Sequence, residues 1–168
     1  VGGTQIDGDT VSLALGESSN CFITAQDIAP TILLSNSIIN DSGGTVTDPN
    51  AFGLKINGSI VPVQTEIPLF AGTHTMSQNG LPGYGASSWG TDCAPNGSIT
   101  LALGQKATCS ISNNDIAPTL RLLKNIVNNN GGSVTDPDAF GLRIDGTPVL
   151  HDTVHALVAG NHSVSEVG

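Results

Sequence analysis

A chain of 168 residues carrying five basic and fourteen acidic side chains, with a formal net charge of −9, repels nucleic-acid phosphates and anionic lipid alike, so neither is an expected partner. Charged residues make up 11% and aromatic residues 4%, against 38% hydrophobic. Solvation therefore falls to uncharged polar residues, and any core must be built from Val, Ile, Leu and Ala in short β-rich runs. No stretch approaches the roughly 18 apolar residues of a membrane span. The chain opens at Val1-Gly2-Gly3 without an initiator Met or signal peptide, as expected of a processed or excised segment whose export signal or anchor lies outside it. Low Lys content and mild acidity suit an extracellular or cell-surface protein.

In chain order, residues 31–39, 52–56, 74–78, 99–103 and 108–112 read as strands, being short, β-branched and partly alternating. Turns separate them at Ser42-Gly43-Gly44, Asn57-Gly58, Ala71-Gly72, Leu81-Pro82-Gly83 and Asn96-Gly97, where Gly, Asn and Pro supply the required φ values. Asn57-Gly58 and Asn96-Gly97 are expected to close hairpins. No helical periodicity is present, and about seven short strands per unit predict a small β-sandwich.

The unit recurs. A shift of about 88 residues lays the chain on itself without a gap: Thr10–Gly16 falls on Ser98–Gly104, Asp27–Thr31 on Asp115–Thr119, and Gly43–Leu54 on Gly131–Leu142. The frame is permuted, because the linker Asp-Ile-Ala-Pro lies inside the chain. Residues 1–28 then supply the last strands of one repeat, 29–116 form a complete β-sandwich, and 117–168 supply the first strands of the next, incomplete without a partner. The fold class is all-β, in tandem sandwich repeats. Either neighbouring repeats of a longer chain complete the two ends, or the N-terminal strands of one copy complete the open sheet of the next in a head-to-tail polymer.

The ordered run Gly83-Tyr84, Trp89, Cys93, Gly97–Cys109, Asp115–Leu120, Lys124 and Asn130-Gly131-Gly132 resembles the SpaA/CnaB-like prealbumin-fold repeats of microbial surface proteins. The resemblance covers nearly the whole chain and implies a transthyretin-like or Ig-like sandwich used in stalks, adhesins and filaments, without catalytic activity. Some domains of this superfamily join a Lys of the first strand to an Asn or Asp of the last by a self-formed isopeptide bond, promoted by a buried acid. In the central unit those positions hold Asn36, Gln78 and Asn113, so the set is broken. In the next unit Lys124 and Glu166 are present, but the last strand is absent, and its N-terminal equivalent carries Ala25. No crosslink is expected, and Lys124 and Glu166 read as solvated or paired surface charge.

Cys93 and Cys109 bracket a predicted hairpin, which points to a disulfide; two buried free thiols are the alternative. Cys21 occupies the Cys109 position one repeat earlier, but Gln5 fills its partner's place. Cys21 is thus either a buried small hydrophobe or a thiol able to pair between chains. Acidic residues beside Gly, Asn and Pro at Asp27, Asp41, Asp48, Asp115, Asp136 and Asp138 offer oxygens of the kind calcium takes. None lies in an alternating Asp loop, and the same residues are common turn formers. No other cofactor is indicated. His151 and His155 would stand about 13 Å apart on a strand and make no metal site; His74 and His162 are repeat equivalents with a structural role. Asn40, Asn57, Asn96 and Asn161 head Asn-x-Ser sequons next to predicted turns. No nucleophile elbow is recognisable and the chain is not expected to be an enzyme. The rival reading is an adhesive carbohydrate- or receptor-binding module, for which Trp89, Tyr84 and four Phe are the available aromatics. Phe52 and Phe140, equivalent in the repeat, read as core.

Overall fold

The computed structural model describes residues 4–7 and 10–168; Val1, Gly2, Gly3, Gly8 and Asp9, within the expected 1–28 segment, lie outside the described residues. The strands are β1 (Thr4–Asp7), β2 (Thr10–Ser12), β3 (Thr31–Ile39), β4 (Leu54–Ile56), β5 (Ser59–Ile60), β6 (Glu66–Pro68), β7 (Gly72–Gln78), β8 (Tyr84–Ala86), β9 (Gly90–Thr91), β10 (Ser98–Leu101), β11 (Lys106–Asp115), β12 (Thr119–Arg121), β13 (Arg143–Ile144), β14 (Thr147–Pro148), β15 (Val154–Ala156) and β16 (Val164–Ser165).

Two sheets built between Thr31 and Asp115 face each other. One runs β6-β3-β11-β8, with β9 also on β11; the other runs β10-β7-β4-β5. At the centre of the first, β3 and β11 pair in parallel from Thr31↔Lys106 to Ile39↔Asn114. Both strands alternate in burial: a period of two puts Ile32, Leu34, Ala107, Cys109 and Ile111 on one face. They join Phe52, Leu54, Ile56, Met76, Trp89, Ile99 and Leu101 in a single core. Each large side chain buried there contributes about 1.5–3 kcal/mol.

Asn57-Gly58 closes the β4–β5 hairpin with φ of 49° and 85°, the paired positive φ of the tight turns that suit twisted strands. Asn96-Gly97 does not close one. β9 pairs with β11 while β10 pairs with β7, so this turn carries the chain from one sheet to the other. Two 3₁₀ turns, Pro49–Phe52 and Pro137–Phe140, carry the same cap: Asp48 and Asp136 accept the N–H two residues on, and Gly53 and Gly141 end the turn with left-handed φ.

Beyond Pro118 the elements of the first half recur one repeat later, but the sandwich stays open. β12 pairs β15, and β13 lies between β14 and β16. β12 extends over three residues where β3 extends over nine, since among the described residues no strand stands on the side where β11 flanks β3. Ile32 and Leu34 are fully buried, whereas Leu120 and Leu122 are half-buried; Met76 is 3% exposed and its equivalent Val164 58%. Phe140, expected in a core, is only half-buried for the same reason.

Residues 13–29, the counterpart of the turn after β10 and of β11, run without strand pairing, with Phe22 and Ile23 more than nine-tenths exposed. Cys21 is therefore exposed and not the buried small hydrophobe its repeat position suggested.

Candidate functional site

The inner row of the β3–β11 ladder turns polar at one end. Asn36 follows Leu34 on β3, and Asn113 and Asp115 follow Ile111 on β11; all three are buried. The Asn113 amide donates to Asn36 Oδ1 at 2.8 Å and to Gln78 Oε1 at 3.1 Å, and its own Oδ1 accepts from Gln78 Nε2 at 2.8 Å. Asn36 Nδ2 donates onward to Pro49 O at 3.0 Å. The three positions named by the isopeptide resemblance thus converge, but as three amides. An amide nitrogen is not a nucleophile and Gln78 has no proton to shuttle, so the set locks the two central strands to β7 by hydrogen bonds alone.

The corresponding pair on the open half also meets. Lys124 Nζ lies 2.6 Å from Glu166 Oε2 and 4.4 Å from the centre of the Phe140 ring. The Lys124 side chain is only 20% exposed, so it is less solvated than a surface charge: its stem covers apolar surface and its ammonium gains from the ring face.

One turn beyond the amides, Asp115 organises the Gly-Gly loop. Its carboxylate accepts N–H groups from Asp41, Ser42 and Gly44 at 2.6–3.0 Å. Burial opposes its ionisation, but the bonds from Gly44 and Ser42, with Asp41 adding its side chain and N–H, outweigh that and hold the carboxyl below its usual range. Gly44 is required by space: a Cβ there would strike Tyr84 Oη and lie 2.7 Å from Asn40 Oδ1. Tyr84, edge-on to Phe52, donates to Asn40 Oδ1 and accepts from Val46 N, tying the loop to the core. The residues around Asp115 read as a turn or a calcium ligand, whereas the structure makes it the clamp of the Gly-Gly loop. The signal was the joint recurrence of Asp-Ile-Ala-Pro and Gly-Gly one repeat apart.

His74 and His162 each brace a turn. His74 Nε2 meets Phe70 O at 2.9 Å and its Nδ1 meets the Asn57 amide at 2.9 Å, which makes it a neutral ring donating from Nε2. His162 Nε2 meets Val158 O at 2.7 Å, but Nδ1 faces Asp145 Oδ2 at 2.6 Å, so both nitrogens donate and the ring is cationic. The Asp145 hydrogen bond raises the His162 pKa, and the same bond lowers that of Asp145.

Apart from Asp41 and Asp115, which meet at the Gly-Gly loop, the calcium candidates lie apart. Asp48 and Asp136 cap their 3₁₀ turns, Asp138 accepts His151 N, Asp41 accepts the Ser42 hydroxyl, and Asp27 lies exposed on the linker. Among the described residues no three His, Cys, Asp or Glu side chains could hold a metal ion. His151 accepts Lys124 N and His155 meets Thr153 Oγ1, each with its own partner. The Cys93–Cys109 disulfide is present, with Cα atoms 5.1 Å apart, and ties the turn after β9 to β11. Of the sequons, Asn40 and Asn57 use the nitrogen that would carry a glycan, toward Val46 O and His74, which counts against both. Asn96 and Asn161 stand exposed at turns.

A family model described as a SpaA prealbumin-like fold domain matches residues 27–111, from the linker at Asp27 to Ile111 on the central strand. No curated protein and no solved structure matches the chain.

Proposed function

The chain belongs to the SpaA prealbumin-like fold domain family, and from that premise we propose that it is a non-catalytic structural subunit or segment of an extracellular filament or stalk, joined by strand complementation. One observation carries the reading. The same molecule holds an open half-sandwich with a β12 edge that no strand among the described residues covers and, toward its N-terminus, a segment without strand pairing that has the repeat register of the strand this edge lacks. Transferred by the repeat, the β3–β11 register sets Ser19 beside Leu120, Cys21 beside Leu122 and Ile23 beside Lys124. Donation satisfies the backbone of both partners and covers the exposed apolar face, the two things an open sheet lacks. The intramolecular disulfide suits an oxidising compartment.

Electron microscopy of the purified chain, with sedimentation across concentration, tests this. Filaments that disappear in an Ile23→Asp variant support it. A monomer at every concentration, with residues 18–27 folded onto its own β12, would overturn it.

A further inference from the structure

We propose that the linker and turn formed by Asp27, Phe70 and Ala71 are a docking surface for the Asn129–Gly132 loop of a second copy of this chain. The inference rests on the polymer reading and adds to it a second, separate contact.

The interface already exists once within the chain. The Ser42–Gly43 loop sits on the Val158–Ala159 turn, with Ala159 N donating to Ser42 O at 2.7 Å. A Cβ on Gly43 would come within 2.9 Å of Ala159 N and 3.0 Å of Val158 Cγ1, so the loop is seated without room for a side chain. Both parts are held from behind. Asp115 gathers the loop's N–H groups, while His162 holds Val158 O and Leu157 N bonds Pro118 O.

Each part recurs one repeat away with its contact surface uncovered. Phe70 and Ala71 are the equivalents of Val158 and Ala159. His74 holds Phe70 O and Leu69 N bonds Pro30 O at 2.9 Å, so the turn has the same bracing, yet Phe70 is 90% exposed. Asn130 and Gly131 are the equivalents of Ser42 and Gly43. Asn128 Nδ2 donates to Val134 O as Asn40 does to Val46 O, Gly131 keeps a φ of 88° against 91° at Gly43, and nothing lies within 4 Å of a Cβ placed on Gly131. The loop is formed but lacks its clamp. Asp27, the equivalent of Asp115, is exposed on the wall of a cavity of ≈ 360 Å³ that Phe70 and Ala71 also line.

A loop of unsatisfied N–H groups at one end and a carboxylate beside a braced apolar turn at the other are complementary, in the relation that the closed pair shows. The contact is heterologous, so it propagates head to tail. It also places Asp27 on the loop of the very copy whose open half residues 18–27 complete, so both contacts are met by one arrangement.

The test uses full-length chains in a Cys21→Ala background, with the parent chain assembled in parallel as the reference for sedimentation. One carries Ala71→Cys and the other Asn130→Cys; the two are refolded together and oxidised mildly, with Ser42→Cys/Ala159→Cys in a single chain setting the rate for a seated loop. The expected result is a mixed dimer that outweighs both like dimers, forms at a rate comparable to the single-chain pair, and is lost with Asp27→Arg. Sedimenting assemblies without a preferred mixed dimer would overturn the docking contact and leave strand complementation standing. Absence of any assembly would overturn both.

Discussion

Replacing Asn113 by Ala removes three side-chain hydrogen bonds at once. Asn36 Oδ1, on a residue 8% exposed, loses its donor and cannot regain water without opening the ladder; the Gln78 amide, half-buried, loses a partner at each end but rehydrates in part. Each buried group left unpaired costs about 1–3 kcal/mol, so the substitution should cost about 3 kcal/mol. For a domain of this size that lowers Tm by roughly 12–24 °C. Trp89 is the sole tryptophan and lies in the sandwich core, so its emission in urea reports this unit without contribution from the terminal segments. The decisive control is Asn36→Leu/Gln78→Met/Asn113→Leu, which removes all three amides and should stay within about 1.5 kcal/mol of the parent, because the one partner left behind is the carbonyl of half-buried Pro49, which can rehydrate in part. Equal losses in the single and triple variants would refute the argument, as would a single-variant cost under about 0.5 kcal/mol.

Cys93→Ala/Cys109→Ala opens a crosslink of sequence separation 16 and should cost about 3 kcal/mol; the same urea titration, with and without reductant on the parent, checks it. The Asp145–His162 bridge should make the Val158–Ser163 turn pH-dependent in both directions. His162, raised, contributes fully below its ordinary value of about 6.5 and loses that contribution as pH climbs through the raised one; Asp145, lowered, contributes above its ordinary value and loses it as pH falls through the lowered one. NMR titration of the imidazoles should show His162 titrating above the ordinary histidine value, and Asp145→Asn should bring it down. Finally, Asn36→Lys/Gln78→Glu restores an amine and an acid beside Asn113. Attack of the new amine on the Asn113 side-chain carbonyl would form the isopeptide bond and expel ammonia, read as loss of one ammonia from the intact mass; an unchanged mass would show that proximity of the three positions is insufficient.

Much of the architecture was legible in the residues because it rests on local rules. Alternation over 31–39 and 108–112, Asn57-Gly58 with its two positive φ values and the recurrence of Asp-Pro-x-Ala-Phe-Gly each follow from side-chain period or turn chemistry, which neighbours in the chain determine. So did the convergence of positions 36, 78 and 113, through resemblance. Asn96-Gly97 has the local chemistry of a hairpin, and only the sheet assignment of β9 and β10 shows a crossover. Cys21 and Phe140 failed for a different reason: burial belongs to the partner strand, and each lacks one. Composition and turn chemistry thus determined an all-β sandwich. Tertiary structure alone decided how the three amides bond one another, that Asp115 clamps the Gly-Gly loop, and that the loop seats on the next turn, because each joins groups far apart in sequence whose distance no local preference sets.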